Sequence, residues 1–467
     1  MPRLRSLAVC LTVVGSMIGS AGPASAQVGG IGGVGGGNRG TAGQVAGGIL
    51  VDPQGVVRPV FSNDKSEKIA RQRIEAQAHK SLPADLNKFS DLRKVSLVRL
   101  EAAYAEQAKN SKGITQDMQF LAGLQRIDYV FVMPETNDIV IAGPAEGFAL
   151  DGVGRAVGVS TGRPPLRLDD LMVAFRSVER GGPLGCSIDP QQDRLAELLR
   201  WYAENSSPAD TETAAGRFEE SARILGMQDV KIWGVPAESH FAQALVEADY
   251  RMKRISLGLE ATPVKTLRSH LAMLGTGGNS MQRWWFVPYY NKFVKSDDGL
   301  GYRLSGQRAQ VLSQEEAVDV GGQRSNAGIT RISTQKWAKH FTEKFPELAG
   351  KSPVFAELQN LIDLAVVAAL IQKERLGEMV EWEHGAFFDE QQGASARNNV
   401  PRQVPSLTNY RNKGSMVIGL VGGGVTIDPM ETARYIEFSP DTEGDVQRVR
   451  DAVRGHEPTE KHPWWWD

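Results

Sequence analysis

From Val354 to Ile371 the chain offers no helical face to water. Ser352-Pro353 opens a helix whose side chains are apolar in nearly every direction, so it is stable only if other elements surround it. A chain of 467 residues can supply those layers, as more than one domain. The stretch from Leu361 to Ile371 is about half as long as a membrane span and carries Asp363. The reading is a buried core helix, with no transmembrane span.

The segments before it alternate between strand and helix signals. Tyr129–Met133 and Ile139–Ala142 flank Pro134-Glu135-Thr136-Asn137-Asp138, a hairpin with turn-forming residues. Asp169 is placed to cap a helix bearing Leu171, Met172 and Phe175. Cys186-Ser187-Ile188 reads as a strand, after which Asp189 caps a helix with Pro190 in its first turn and Gln192 completing a capping box. Gly226 ends the next helical segment, and Val230–Val235 and Ile255–Leu259 are strands on either side of a helix opened by Pro236. Trp284–Tyr290 and Leu300–Leu304 close the sheet as an antiparallel edge. The expected class is α/β, with a mixed, partly parallel sheet covered by helices.

Composition sets the boundaries. Residues 1–26 read as a signal peptide, 27–64 as a Gly-rich flexible leader, and 65–116 as a helical arm with Ser66 and Ser90 as N-caps. Residues 117–312 form the α/β core domain, 313–376 a helical segment packed on it, and 377–467 a β-hairpin region with a Trp-rich tail.

Arg3 and Arg5, the apolar run Leu7–Ile18 and Ala24-Ser25-Ala26 have the order of a cleavable secretory signal. The expected location is therefore periplasmic or extracellular. Removing that segment takes 53 Lys and Arg to 51 against 55 Asp and Glu, a net charge of about −4. Nucleic acid is excluded as a partner, since phosphate binding needs clustered surplus cations. Of the two cysteines only Cys186 remains, so no intrachain disulfide forms.

Catalytic signals are weak. Gly158-Val159-Ser160-Thr161-Gly162 has the spacing of a nucleophile elbow, but Pro164 and Pro165 oppose the helix that must start after the serine. Asp169-Asp170 is better explained by capping than by proton sharing, because adjacent helical residues point about 100° apart. No His-Glu-x-x-His sequence occurs, the histidines are scattered, and neither a metal site nor a cofactor is expected.

Several stretches together resemble an exported planctomycete family defined by a domain of unknown function. They include Leu121-Ala-Gly-Leu-Gln-Arg-Ile127, Asp138-Ile-Val-Ile-Ala-Gly-Pro-Ala-Glu-Gly147, Cys186-Ser-Ile-Asp-Pro190, Ala248-Asp-Tyr-Arg-Met-Lys-Arg254 and Pro353-Val-Phe-Ala-Glu-Leu358. The resemblance spans residues 118–376. It implies export and the extent of the core, and transfers no site residue.

Two functional readings follow. In the first, an exported, non-enzymatic protein binds an unknown protein or cell-envelope component through aromatic surfaces. Trp284 and Trp285 in the dense aromatic strand, Tyr250, and the terminal Trp464, Trp465 and Trp466 are the binding candidates. In the second, a hydrolase uses Cys186 as nucleophile and His240 as base. The helix carrying His240 has one apolar stripe: Phe241, Leu245, Ala248, Met252 and Ile255. Its pairs Glu247–Arg251 and Asp249–Lys253 have the spacing of ion pairs on a wet face.

Overall fold

The computed structural model describes residues 46–51, 55–61, 67–207, 211–274, 279–290, 292–328, 330–383, 385–389, 397–412, 416–456 and 458–467. The expected signal peptide and most of the Gly-rich leader lie outside them. The leader's end is a hairpin, β1 (Ala46–Val51) against β2 (Val57–Phe61).

The expected helical arm turns out to be mixed. After α1 (Glu67–Ser81) and α2 (Ala84–Asn87), Ser90 starts strand β3 (Ser90–Ser96) instead of capping a helix. Ser96 is the cap; its hydroxyl accepts from the Arg99 N–H and opens α3 (Leu97–Lys109), with Leu97, Leu100 and Tyr104 buried. The α4 turn (Gln116–Gln119) leads to β4 (Tyr129–Met133) and β5 (Asp138–Ala145), antiparallel across the expected turn. β3 pairs with β5, so the arm belongs to a sheet.

Next come β6 (Phe148–Leu150), β7 (Ala156–Gly158), α5 (Leu168–Arg180) and β8 (Leu184–Pro190). Asp169 lies inside the first turn of α5 and does not cap it. Asp189 stays in β8 because Arg283 and Arg324 hold its carboxylate, so it does not cap α6 (Gln192–Glu204). α7 (Thr211–Leu225), β9 (Met227–Trp233), α8 (His240–Ser256) and α9 (His270–Met273) follow. No strand forms at 255–259: Ile255 is still helical and packed, and Gly258 ends the turn at φ +70°.

β10 (Asn279–Tyr289), β11 (Lys292–Lys295), β12 (Gly301–Arg303), β13 (Arg308–Val318) and β14 (Arg324–Asn326) precede α10 (Ile332–Lys351), α11 (Pro353–Lys373) and α12 (Leu376–Met379). The chain closes with β15 (Gln403–Pro405), β16 (Thr408–Asn412), β17 (Met416–Ile427), α13 (Pro429–Tyr435), β18 (Glu437–Pro440), α14 (Asp445–Arg454) and β19 (Trp465–Trp466).

An eight-stranded sheet runs β14-β13-β10-β17-β8-β9-β15, with β16 also on β17. A seven-stranded sheet runs β18-β11-β12-β4-β5-β3-β19. Both are mixed, with β10–β17 and β11–β18 parallel. The aromatic strand β10 is not an edge, because β13 and β17 flank it. α8 packs on β8 and β17 and α10 on β13, while α11 packs against α5, α8, α10 and α13. Every residue from Val354 to Ile371 is buried, as an all-round apolar helix requires. By length and composition α11 could cross a membrane; here protein encloses it on all sides.

The face of α8 read as wet is buried. Both expected pairs form, Lys253–Asp249 at 2.9 Å and Arg251–Glu247 at 3.6 Å, but their side chains are at most 3% exposed. The Trp tail docks on its own body. Trp464 and Trp465 are buried, β19 pairs with β3, and the buried Arg93 guanidinium sits 4.7 Å from the Trp465 ring centre while donating to the Asp467 carboxylate.

Lys253→Ala leaves the Asp249 carboxylate buried and unpaired, and is expected to lower the unfolding free energy by about 3–5 kcal/mol. Lys339→Ala, at the exposed pair with Glu343, costs less than about 1 kcal/mol; urea titrations compare the two. Truncation after Pro463 removes two buried indoles and is expected to cost at least about 3 kcal/mol by the same measurement.

Candidate functional site

The Ser239 hydroxyl accepts from the Ala242 N–H and places His240 in the first turn of α8. There His240 Nδ1 lies 2.7 Å from Asp170 Oδ2 of α5. Its Nε2 lies 3.7 Å from Glu357 Oε1 of α11, a charge contact too long for a hydrogen bond. Glu357 also accepts from Arg155 Nε at 2.9 Å, and Arg155 Nη2 reaches Glu247 of α8 at 2.6 Å. Arg167 pairs with Asp169 at 2.8 Å and approaches Asp170 at 4.0 Å.

Arg155, Arg167, His240, Glu247 and Glu357, with Phe120 and Gln243, wall a cleft of about 160 Å³. That space is comparable to a cavity able to take benzene. Glu247 Oε1 is buried in this wall and accepts no hydrogen bond, while Arg251 stands 3.6 Å away.

Burial by itself would favour neutral imidazole, but the Asp170 carboxylate reverses this and holds His240 protonated up to about 10. Burial likewise pushes Glu357 up, and the Arg155 guanidinium and His240 bring it down to about 2. At neutral pH His240 is therefore a fixed donor and Glu357 a fixed acceptor. Burial also pushes the Asp170 carboxyl up, against the pull of His240 and Arg167.

The other candidates lie elsewhere. Cys186 is fully buried in β8, its thiol pushed well above the ordinary value by burial and by Asp249. Asp249 follows His240 by nine residues, about 13 Å along α8, so Cys186 and His240 are not brought together. Tyr250 is buried with the Arg254 guanidinium 5.7 Å from its ring centre. Trp284 is buried 4.3 Å from Trp337 between ring centres. Trp285, on the opposite face of β10, is half-buried, as is Trp466. Ser160 starts no helix; its N–H and that of Thr161 donate to the Glu146 carboxylate.

Sequence reasoning found His240 but missed its partners, which come from segments far apart in the chain. Two signals were available. Asp170 was visible within the Asp169-Asp170 pair, and Glu357 is an acid inside an otherwise apolar helix, which needs a buried partner.

Residues 186–270 match the model of a family described as a protein of unknown function (DUF1598). The match is narrower than the 118–376 span of the resemblance and includes Cys186, His240 and Glu247, but not Arg155, Asp170 or Glu357. No curated protein and no solved structure matches the chain.

Because the folded pKa of His240 lies above its ordinary 6.5, its stabilising contribution is full below about pH 6.5 and is lost as pH rises toward 10. Over that window the unfolding free energy of the native protein is expected to fall, relative to His240→Gln, by up to about 1.4 kcal/mol per pH unit. Urea titrations of both proteins from about pH 6 to about pH 10 measure the difference in slope.

Proposed function

We propose that the protein is an exported, non-enzymatic binding protein, of the planctomycete type its sequence resembles, whose cleft at His240 takes a small polar ligand from the cell envelope or its surroundings. Export rests on the basic, apolar and small-residue segments at residues 3–26. The reading is carried by one observation: donors on Arg155, Arg167 and His240 and acceptors on Glu247 and Glu357 converge from distant segments on one buried cleft. Donors and acceptors stand side by side there, which suits a ligand that donates and accepts hydrogen bonds. The hydrolase reading gains no support from the positions of Cys186 and His240.

Gln243→Phe fills the cleft without breaking an ion pair. In a thermal-shift panel of monosaccharides, amino acids and short carboxylates, at least one compound is expected to raise the Tm of the native protein and of Cys186→Ala, but not of Gln243→Phe. An equal shift in Gln243→Phe, or turnover of the compound that Cys186→Ala abolishes, overturns the proposal.

A further inference from the structure

Each charged side chain in the wall of the His240 cleft already has a counter-charge. The Arg155 guanidinium stands between two carboxylates, Glu247 at 2.6 Å and Glu357 at 2.9 Å. Arg167 donates to both oxygens of Asp169, and His240 lies 2.7 Å from Asp170. Behind the wall Arg251 meets Glu247 at 3.6 Å and Glu260 at 2.7 Å, and Arg254 meets Glu260 at 3.3 Å. Basic and acidic groups in this set are equal in number. The balance does not depend on where the proton between His240 and Asp170 sits, because imidazolium with carboxylate and imidazole with carboxyl are both neutral pairs.

One further acid lies close by. The half-buried Asp151 adds a negative charge beside Arg155, and its Oδ1 accepts from the Val153 and Arg155 N–H groups. The site therefore holds no surplus cation for an anionic ligand. An ammonium fares no better, because Arg155, Arg167 and His240 outnumber Glu247 and Glu357 in the lining itself. Ions of either sign would enter a site only slightly open to water without a free partner, which is costly.

Hydrogen-bonding capacity is left over where charge is not. Glu247 Oε1 accepts no hydrogen bond. Arg167 spends Nε and Nη2 on Asp169, which leaves guanidinium N–H groups to give. Gln243, a donor and an acceptor in one amide, lines the cleft from the same face of α8 as His240 and Glu247. Phe120, Pro164 and Pro165 complete the wall with carbon surface.

We propose, resting on the reading of this cleft as a ligand site, that it selects an uncharged polyol, a single sugar or smaller, against the amine and the acid of the same skeleton. A hydroxyl donates and accepts, so it serves Glu247 Oε1 and the Arg167 guanidinium alike without bringing a charge. The C–H faces of a polyol meet Phe120 and the two prolines. The space of about 160 Å³ limits the enclosed part of the ligand to one ring.

Thermal-shift titrations of the full chain with three matched sets test this: glucose, glucosamine and glucuronate; galactose, galactosamine and galacturonate; glycerol, serinol and glycerate. At about pH 6 the amines and acids are ionised. At least one uncharged compound is expected to raise the Tm of the native protein but not of Gln243→Phe, with its amine and its acid binding at least about tenfold more weakly. Its affinity should be the same at about 0.05 M and about 0.5 M salt, as that of an ion pair would not be. Glu247→Gln, which leaves Arg155 in excess, should strengthen binding of the acid at least about tenfold without improving that of the uncharged compound. An amine or acid that binds the native protein as tightly as its uncharged counterpart overturns the proposal and leaves the cleft a ligand site. So does a shift by amino acids or short carboxylates with none from any uncharged compound. No shift from any of these compounds overturns both readings.

Discussion

The fold depends on keeping the charges of α8 paired where water cannot reach them. The Lys253 ammonium holds Asp249 at 2.9 Å and donates to the Ile188 carbonyl of β8 at 3.1 Å, so one side chain joins helix to sheet. Glu260, just beyond the helix, receives Arg251 at 2.7 Å and Arg254 at 3.3 Å. Each of these ions is costly to bury and tolerable only with its partners in place. Sliding α8 along β8 and β17 would separate these buried partners, so the network opposes a shift of the helix on the sheet.

The His240 cleft extends the same helix in the other direction. His240 and Glu247 come from α8, Asp170 from α5 and Glu357 from α11, the helix that α8, α5 and α10 enclose. Packing α11 on all sides is thus what carries Glu357 to the imidazole. Its apolar neighbours exclude water and strengthen each ion pair they surround.

The two faces of β10 show how far the alternation of a strand can be read. Trp284 and Phe286 on one side and Trp285 on the other follow from the period of two, and the core takes the first pair. Whether the second side meets protein or solvent depends on how far α6 and α7 extend over the sheet, and no local pattern records that. The tail is similar. Three consecutive tryptophans signal docking, but it took Arg93, more than 370 residues earlier, to supply the surface they dock on.

By itself the sequence determined that α11 must be enclosed, where the apolar stripe of α8 lies, which of its charges pair, and the β4–β5 hairpin, because each is set by side-chain period and spacing within one element. Only the tertiary structure decided that the α8 ion pairs are buried, that Ser90 and Asp189 serve strands, and that Arg155, Asp170 and Glu357 gather around His240. Local propensity is a matter of a few tenths to one kcal/mol, and burying or stranding a charge is a matter of several. Where the two compete, long-range partners win, and those partners are distant in the chain.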